Sequence, residues 1–363
     1  MGDAQKKLSL VRQLMAERQL GAILVNRISN FAWLTDGANC YVNIASDFGG
    51  GSLLVTKDNV YLLTTNIEAP RLEAEEPLAD LAPEFRAAPW HEANPALPQL
   101  TKGLALGADS PFAGAQDLTG DFINLRTRLT SAEETRFTEL GNICAQAMDA
   151  AIHRVKPGMT EYEIAAVLSQ ESLSRGAWPI VNLIAVDDRI FKVRHPIPGD
   201  KTMQKYAMLV LCGRRQGLVA SVTRLVHFGP LTDELKRKQE ACAVVDATFI
   251  SRTRPGARLA DIFQAAVDAY AAQGFAGEWQ YHHQGGPASY EPRDFVATPD
   301  SDALAYDGQV FAWNPSIAGV KVEDTILVKS EGNQILTAIE DWPMLSVTVD
   351  GHVWQRPAIL EIR

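Results

Sequence analysis

The chain has 363 residues, 46% of them hydrophobic and 21% charged, with a formal net charge of −10. That length exceeds the ~250–300 residues over which a single hydrophobic core grows, so two domains are expected. The acidic balance, with no lysine–arginine block to relieve it, excludes nucleic acid and anionic membrane as partners, because either needs a basic face.

In chain order, residues 8–20 place Leu8, Val11, Leu14 and Met15 at helical spacing, predicting a surface helix with one apolar face that Gly21 ends. Ala22-Ile23-Leu24-Val25 follows as a buried strand, and residues 30–37 as a turn with a short aromatic segment. Gly49-Gly50-Gly51 is expected to be a turn opening a hairpin of residues 52–55 and 60–64. No strand–loop–helix with a phosphate-binding lysine surrounds those glycines, so they are not a nucleotide loop. A helix pattern covers residues 68–76, recurring prolines break residues 77–98 into loops and short strands, and residues 102–107 make a further short strand. Thr130 or Ser131 caps a long helix beginning Ala132-Glu133-Glu134, which puts a domain division at about residue 128: domains of residues 1–128 and 129–363.

Cys40, Cys144, Cys212 and Cys242 lie far apart with no CxxC pair, which fails the spacing of zinc fingers and redox dithiols. Scattered reduced thiols, a charged amphipathic start in place of a signal peptide, and no apolar run of membrane-spanning length predict a cytoplasmic protein.

The second part contains an internal echo. Arg154-Val155-Lys156-Pro157-Gly158 with Glu163-Ile164 parallels Arg252-Thr253-Arg254-Pro255-Gly256 with Asp261-Ile262, each within a helix, turn, helix unit. Thr160-x-x-Glu163 has capping-box form. Two copies are too few for a solenoid and predict a duplicated unit about a pseudo-two-fold, its helix pairs backing a curved, mostly antiparallel sheet.

Chemistry-bearing residues concentrate in Tyr281-His282-His283-Gln284-Gly285-Gly286-Pro287-Ala288-Ser289-Tyr290-Glu291-Pro292-Arg293. Arg194-His195-Pro196, Ser221-Val222-Thr223-Arg224, Asn314-Pro315 and Lys321-Val322-Glu323-Asp324-Thr325 join it from other segments. With Trp33-Leu34-Thr35-Asp36-Gly37 in front and Pro157-Gly158-Met159-Thr160-Glu161 between, these motifs in this order resemble the creatinase, prolidase and aminopeptidase P family along nearly the whole chain. The resemblance implies an α/β fold: a small creatinase-like N-terminal domain followed by a pita-bread catalytic domain. It also implies a homodimer.

The resemblance further implies where two divalent metals would be held in the family's peptidases, and this chain has lost most of that set. The first Asp position, two residues before a glycine, matches Leu211; the second, three before an arginine, matches Ser221; a Glu before proline matches Asn314. Only His283 and Glu323 keep a ligand type, and neighbouring His282 is expected on the opposite face of a strand. Leucine offers no lone pair, and serine and asparagine are weak neutral donors to hard cations, so neither metal nor other cofactor is expected. Creatinase is a metal-free precedent, and His195 matches the position that supplies its water-activating histidine. Thr223 and Asn314 stand where creatinase carries substrate-binding Glu, which disfavours creatine itself. The expected catalytic groups are His195, His283 and Glu323, with Tyr290, Glu291, Arg293, Arg224, Asn314 and Ser221 contacting a small-molecule substrate. Three activities stay open: a metal-independent hydrolase or lyase acting on a C–N bond of a small molecule, a non-catalytic binding homologue, and an intact metal-dependent Xaa-Pro peptidase.

Overall fold

The computed structural model describes residues 2–363 and divides the chain into two compact units, one formed by residues up to Ala132 with Gln216–Leu218, the other by Glu133–Arg215 and Val219–Arg363. No helix among the described residues is long and apolar enough to cross a membrane.

In the first unit, α1 (Asp3–Glu17) buries Leu8, Val11, Leu14 and Met15, the stripe its 3.6-residue period predicts. It stops before Gly21: Gln19 takes the left-handed conformation (φ 55) that closes it. β1 (Ala22–Arg27) leads into α2 (Ile28–Leu34), a helix where the aromatic composition suggested a turn; Phe31, Trp33 and Leu34 are all buried, so packing overrides the polar punctuation around them. β2 (Phe48–Thr56) and β3 (Val60–Thr65) form the expected hairpin. Gly49-Gly50-Gly51, however, lies inside β2 rather than in a turn. A Cβ on Gly49 would sit 2.4 Å from the Cys40 carbonyl oxygen, so the glycines serve close approach of the backbone. Then come α3 (Ala69–Glu75), β4 (Glu84–Ala88), α4 (Ala96–Leu100), β5 (Leu106–Ala108), β6 (Ala115–Asp117) and α5 (Thr119–Arg126). The six strands make one sheet in the order β4-β3-β2-β1-β5-β6.

The second unit opens with α6 (Ser131–Ile152) and α7 (Glu161–Leu173). Thr160 caps α7 in a complete capping box, its hydroxyl accepting from the Glu163 N–H while Glu163 returns the bond. β7 (Trp178–Val186) and the single turn α8 (Arg189–Lys192) precede β8 (Tyr206–Arg215) and β9 (Leu218–Phe228), which are buried at nearly every position and covered on both faces. α9 (Asp233–Arg252) and α10 (Leu259–Ala272) repeat the helix pair. In both Pro-Gly turns the glycine takes φ near +90° (Gly158 93°, Gly256 86°) and its N–H donates to the carbonyl of a residue distant in sequence, Met203 and Ala305 respectively. β10 (Gly285–Ala288), β11 (Val310–Trp313), β12 (Ser316–Ile317), β13 (Val320–Lys321), β14 (Asp324–Leu327), β15 (Gln334–Ile335), β16 (Met344–Val349), β17 (His352–Pro357) and β18 (Leu360–Ile362) complete the unit.

The expected curved sheet is built as two four-stranded sheets, β18-β9-β8-β7 and β10-β11-β14-β15, stitched by an antiparallel bridge between Thr223 and Glu323. Val210, Leu225, Phe249, Phe263, Phe311, Trp313 and Ile326 share the core between strands and helices. Trp313 belongs to that core: it stacks on Phe249 at 4.5 Å and donates to Thr253 Oγ1.

Candidate active site

The bridge between Thr223 and Glu323 sets the site. It aligns β9 with the segment 320–325, so that side chains of one face of each meet. Beside them opens a cavity of about 390 Å³. Val181, Leu183, Ile197 and Val210 form its apolar wall; His195, His283, Arg293, Asn314, Lys321 and Glu323 supply its polar groups.

The Glu323 carboxylate is buried and fully engaged. Arg293 Nη2 donates to Oε1 at 2.8 Å, Lys321 Nζ lies 2.8 Å from Oε2, and the Thr223 hydroxyl donates to the same oxygen at 2.5 Å. Burial pushes this carboxyl up, but the Lys321 and Arg293 cations outweigh it and hold Glu323 well below the usual carboxylate range. Arg293 also spans to Ser221, Nη1 donating to Oγ at 3.2 Å. A guanidinium and an ammonium thus stand against two of the positions where the resemblance implies metal ligands.

Three imidazoles adjoin this cluster. His195 is carried by the segment whose Pro196 carbonyl accepts from Ile184 in β7, and Arg194 pairs with Glu278 at 2.6 Å, just before His282. His195 and His282 share a 3.0 Å Nε2–Nε2 hydrogen bond, and the His282 and His283 rings stack at 4.6 Å. His282 is not turned away from His283 as strand alternation predicted: the pair lies ahead of β10, which begins only at Gly285, and the two rings stack. Burial first, then the Lys321 charge, depresses His195 below the ordinary histidine value. Burial and Arg293 lower His283 to about 4, and burial with Lys321 takes His282 lower still. All three are neutral imidazoles at neutral pH. Their ring nitrogens lie within 4.8 Å of one another, close enough to share one transition-metal ion, but the fixed Lys321 and Arg293 cations beside them oppose a dication there.

The dinuclear site fits still worse. Val210 and Cys212 line the cavity, so strand alternation turns Leu211, between them, to the other face. β8 therefore offers methyl groups and a thiol where a carboxylate is needed, and burial pushes the Cys212 thiol up, keeping it protonated. Ser221 is committed to Cys212 and Arg293. Asn314 is a neutral amide, and Glu323 is saturated. These residues do not fit a pair of divalent ions.

The other expected contacts fall in different places. Tyr290 is buried with its hydroxyl on Glu133 Oε1 at 2.7 Å, Arg224 is buried on Asp324 at 2.8 Å, and Ser221 sits behind Arg293; none of them lines the cavity, nor does the half-buried Glu291. Sequence reasoning missed His282 and Lys321. Lys321 carried a signal, since two residues from Glu323 on an extended segment means the same face.

The chain matches the model of metallopeptidase family M24 over residues 135–330 and that of the creatinase/prolidase N-terminal domain over residues 7–135. It is 22% identical to an Xaa-Pro dipeptidase of Pyrococcus horikoshii over 94% of this chain and 99% of that one. An uncharacterized peptidase of Staphylococcus aureus is 26% identical over 66% of this chain and 70% of its own. Among solved structures, the fold resembles the prolidase from Pyrococcus horikoshii OT3 (TM-score 0.81, 19% identity, 92% of this chain and 99% of that). It also resembles an Xaa-Pro dipeptidase from Bacillus anthracis (TM-score 0.80, 17% identity, 99% and 100%).

Proposed function

Because the chain belongs to metallopeptidase family M24, with a creatinase/prolidase N-terminal domain in front, we propose that it is a hydrolase that cleaves a C–N bond of a small molecule without a metal pair. One observation carries this: the buried Glu323 carboxylate holds both Lys321 and Arg293, and Arg293 also takes Ser221, so cations belonging to the chain occupy the one carboxylate left in the ligand set and the serine that stands for another.

His195 moves the proton. When its Nε2–H donates to His282 Nε2, its Nδ1 carries a free lone pair. That nitrogen takes a proton from the water that attacks the carbonyl or amidine carbon. The C–N bond then breaks, and the same proton passes to the leaving nitrogen. Its depressed pKa keeps His195 in the basic form at neutral pH.

Elemental analysis of the purified protein, with turnover of amide and amidine libraries measured with and without chelator, tests the reading. Turnover unaffected by chelator and no stoichiometric metal are expected. One or two tightly held transition metals per chain, with chelator-sensitive turnover, would replace it by a metal peptidase; no turnover across broad libraries, by a binding protein.

A further inference from the structure

The cavity carries an imbalance that the hydrolase reading does not use. Lys321 and Arg293 bring two fixed positive charges, and Glu323, acidic and already bound by both and by Thr223, brings one negative. Among the lining residues no other acid answers the excess, and the histidines are neutral. Two buried polar atoms on this wall have no hydrogen-bond partner among the described residues: Arg293 Nε, a donor, and Asn314 Oδ1, an acceptor. Both side chains are nine-tenths or more buried. Leaving a buried donor or acceptor unpaired is costly, so each marks where a complementary ligand atom is favoured. The remaining wall, Val181, Leu183, Ile197 and Val210, asks for an aliphatic body.

We infer that the cavity takes a monoanionic carboxylic acid bearing a secondary amide and no free ammonium group, an N-acyl amino acid or its equivalent. The carboxylate meets the Lys321 and Arg293 cations, the amide N–H donates to Asn314 Oδ1, and the aliphatic part lies on the valine–leucine–isoleucine wall. A zwitterionic dipeptide is disfavoured: its ammonium would enter a site where the one acid among the lining residues, Glu323, is already bound and whose net charge repels it. A phosphate fits the cations but leaves the amide acceptor and the apolar wall unmet. This inference rests on the proposed hydrolase reading for the identity of the site, not for its binding chemistry.

Calorimetric titration of the full chain separates the two. Four probes share the site's demands in different combinations: N-acetyl-leucine, leucine, N-acetyl-leucinamide and inorganic phosphate. N-acetyl-leucine is expected to bind at least about tenfold tighter than each of the others, the step one well-placed charge-assisted contact supplies. In Lys321→Met that preference over the neutral amide should fall about tenfold, and Lys321→Arg should restore most of it; circular dichroism of each variant checks that the fold is kept. Equal binding of acid and neutral amide, tighter binding of leucine or phosphate, or no binding of N-acetyl-leucine at millimolar concentration would overturn the inference. Selective binding without hydrolysis would sink the hydrolase and leave the ligand class standing; hydrolysis of amides with no preference for a carboxylate would do the reverse.

Discussion

Arg356 is the counter-ion on which the site's strand depends, and removing it makes a prediction with a definite dependence on pH. It is fully buried, with Nε donating to Asp246 Oδ2 at 2.5 Å and Nη2 to Asp324 Oδ2 at 2.6 Å; Asp324, next to Glu323, also receives Arg224. Burial raises Asp246 from 3.8 to about 6 even though Arg356 pulls it down. For an acid raised on folding, ionisation costs stability, and in the native protein that cost accrues up to about pH 6 and is flat above it. In Arg356→Met the opposing cation is gone, Asp246 rises further, and the cost goes on growing with pH. Two pH units at 1.36 kcal/mol each set the additional loss between pH 6 and 8 at up to about 3 kcal/mol. The total at pH 8 should be about 3–5 kcal/mol, the usual effect of stripping one partner from a buried ion pair. Urea unfolding of both proteins at pH 5.5 and pH 8, followed by tryptophan fluorescence, measures the difference. A deficit equal at the two pH values, or larger at 5.5, would refute the account of Asp246 as a carboxyl that Arg356 above all keeps ionised.

His195→Ala should lower turnover of any substrate found by about two to four orders of magnitude, while His91→Ala, exposed in the other unit, should leave it unchanged. The acid limb of kcat/KM should fall below pH 6.5, since burial and Lys321 depress His195; a limb above 7 would remove His195 as the base. In Lys321→Met that limb should move upward, because the lysine cation no longer opposes protonation; an unchanged limb would mean that Lys321 does not act on His195. Gly285→Ala should destabilise the protein by about 1–3 kcal/mol and impair the site: Gly285 has φ 101, and a Cβ there would lie 2.1 Å from the Ala312 carbonyl oxygen; a melting temperature unchanged from native would count against this.

Much of the architecture was legible because it is periodic. The stripe of α1, the hairpin β2–β3 and the Thr160 capping box follow from spacing alone. Residues 30–37 misled because Phe31 and Trp33 pack into a core that no local pattern announces. The glycines of β2 misled because their reason is Cys40, distant in pattern though close in space. At the site, the losses at Ser221 and Asn314 could be read directly, but not what replaced them. That Arg293 crosses from one segment to meet Glu323 and Ser221 on two others is a tertiary fact. His282 escaped because the alternation rule holds only within a pleated strand, and the strand starts three residues later.

A bound ion can be washed out, swapped for a wrong one or withheld when supply runs short; a lysine and an arginine cannot. With Lys321 and Arg293 written into the polypeptide, the positive charge at Glu323 is inherited with every copy of the chain and is the same in each molecule at every moment. A carboxylate introduced at Ser221 would come up against the resident Arg293 rather than an empty socket.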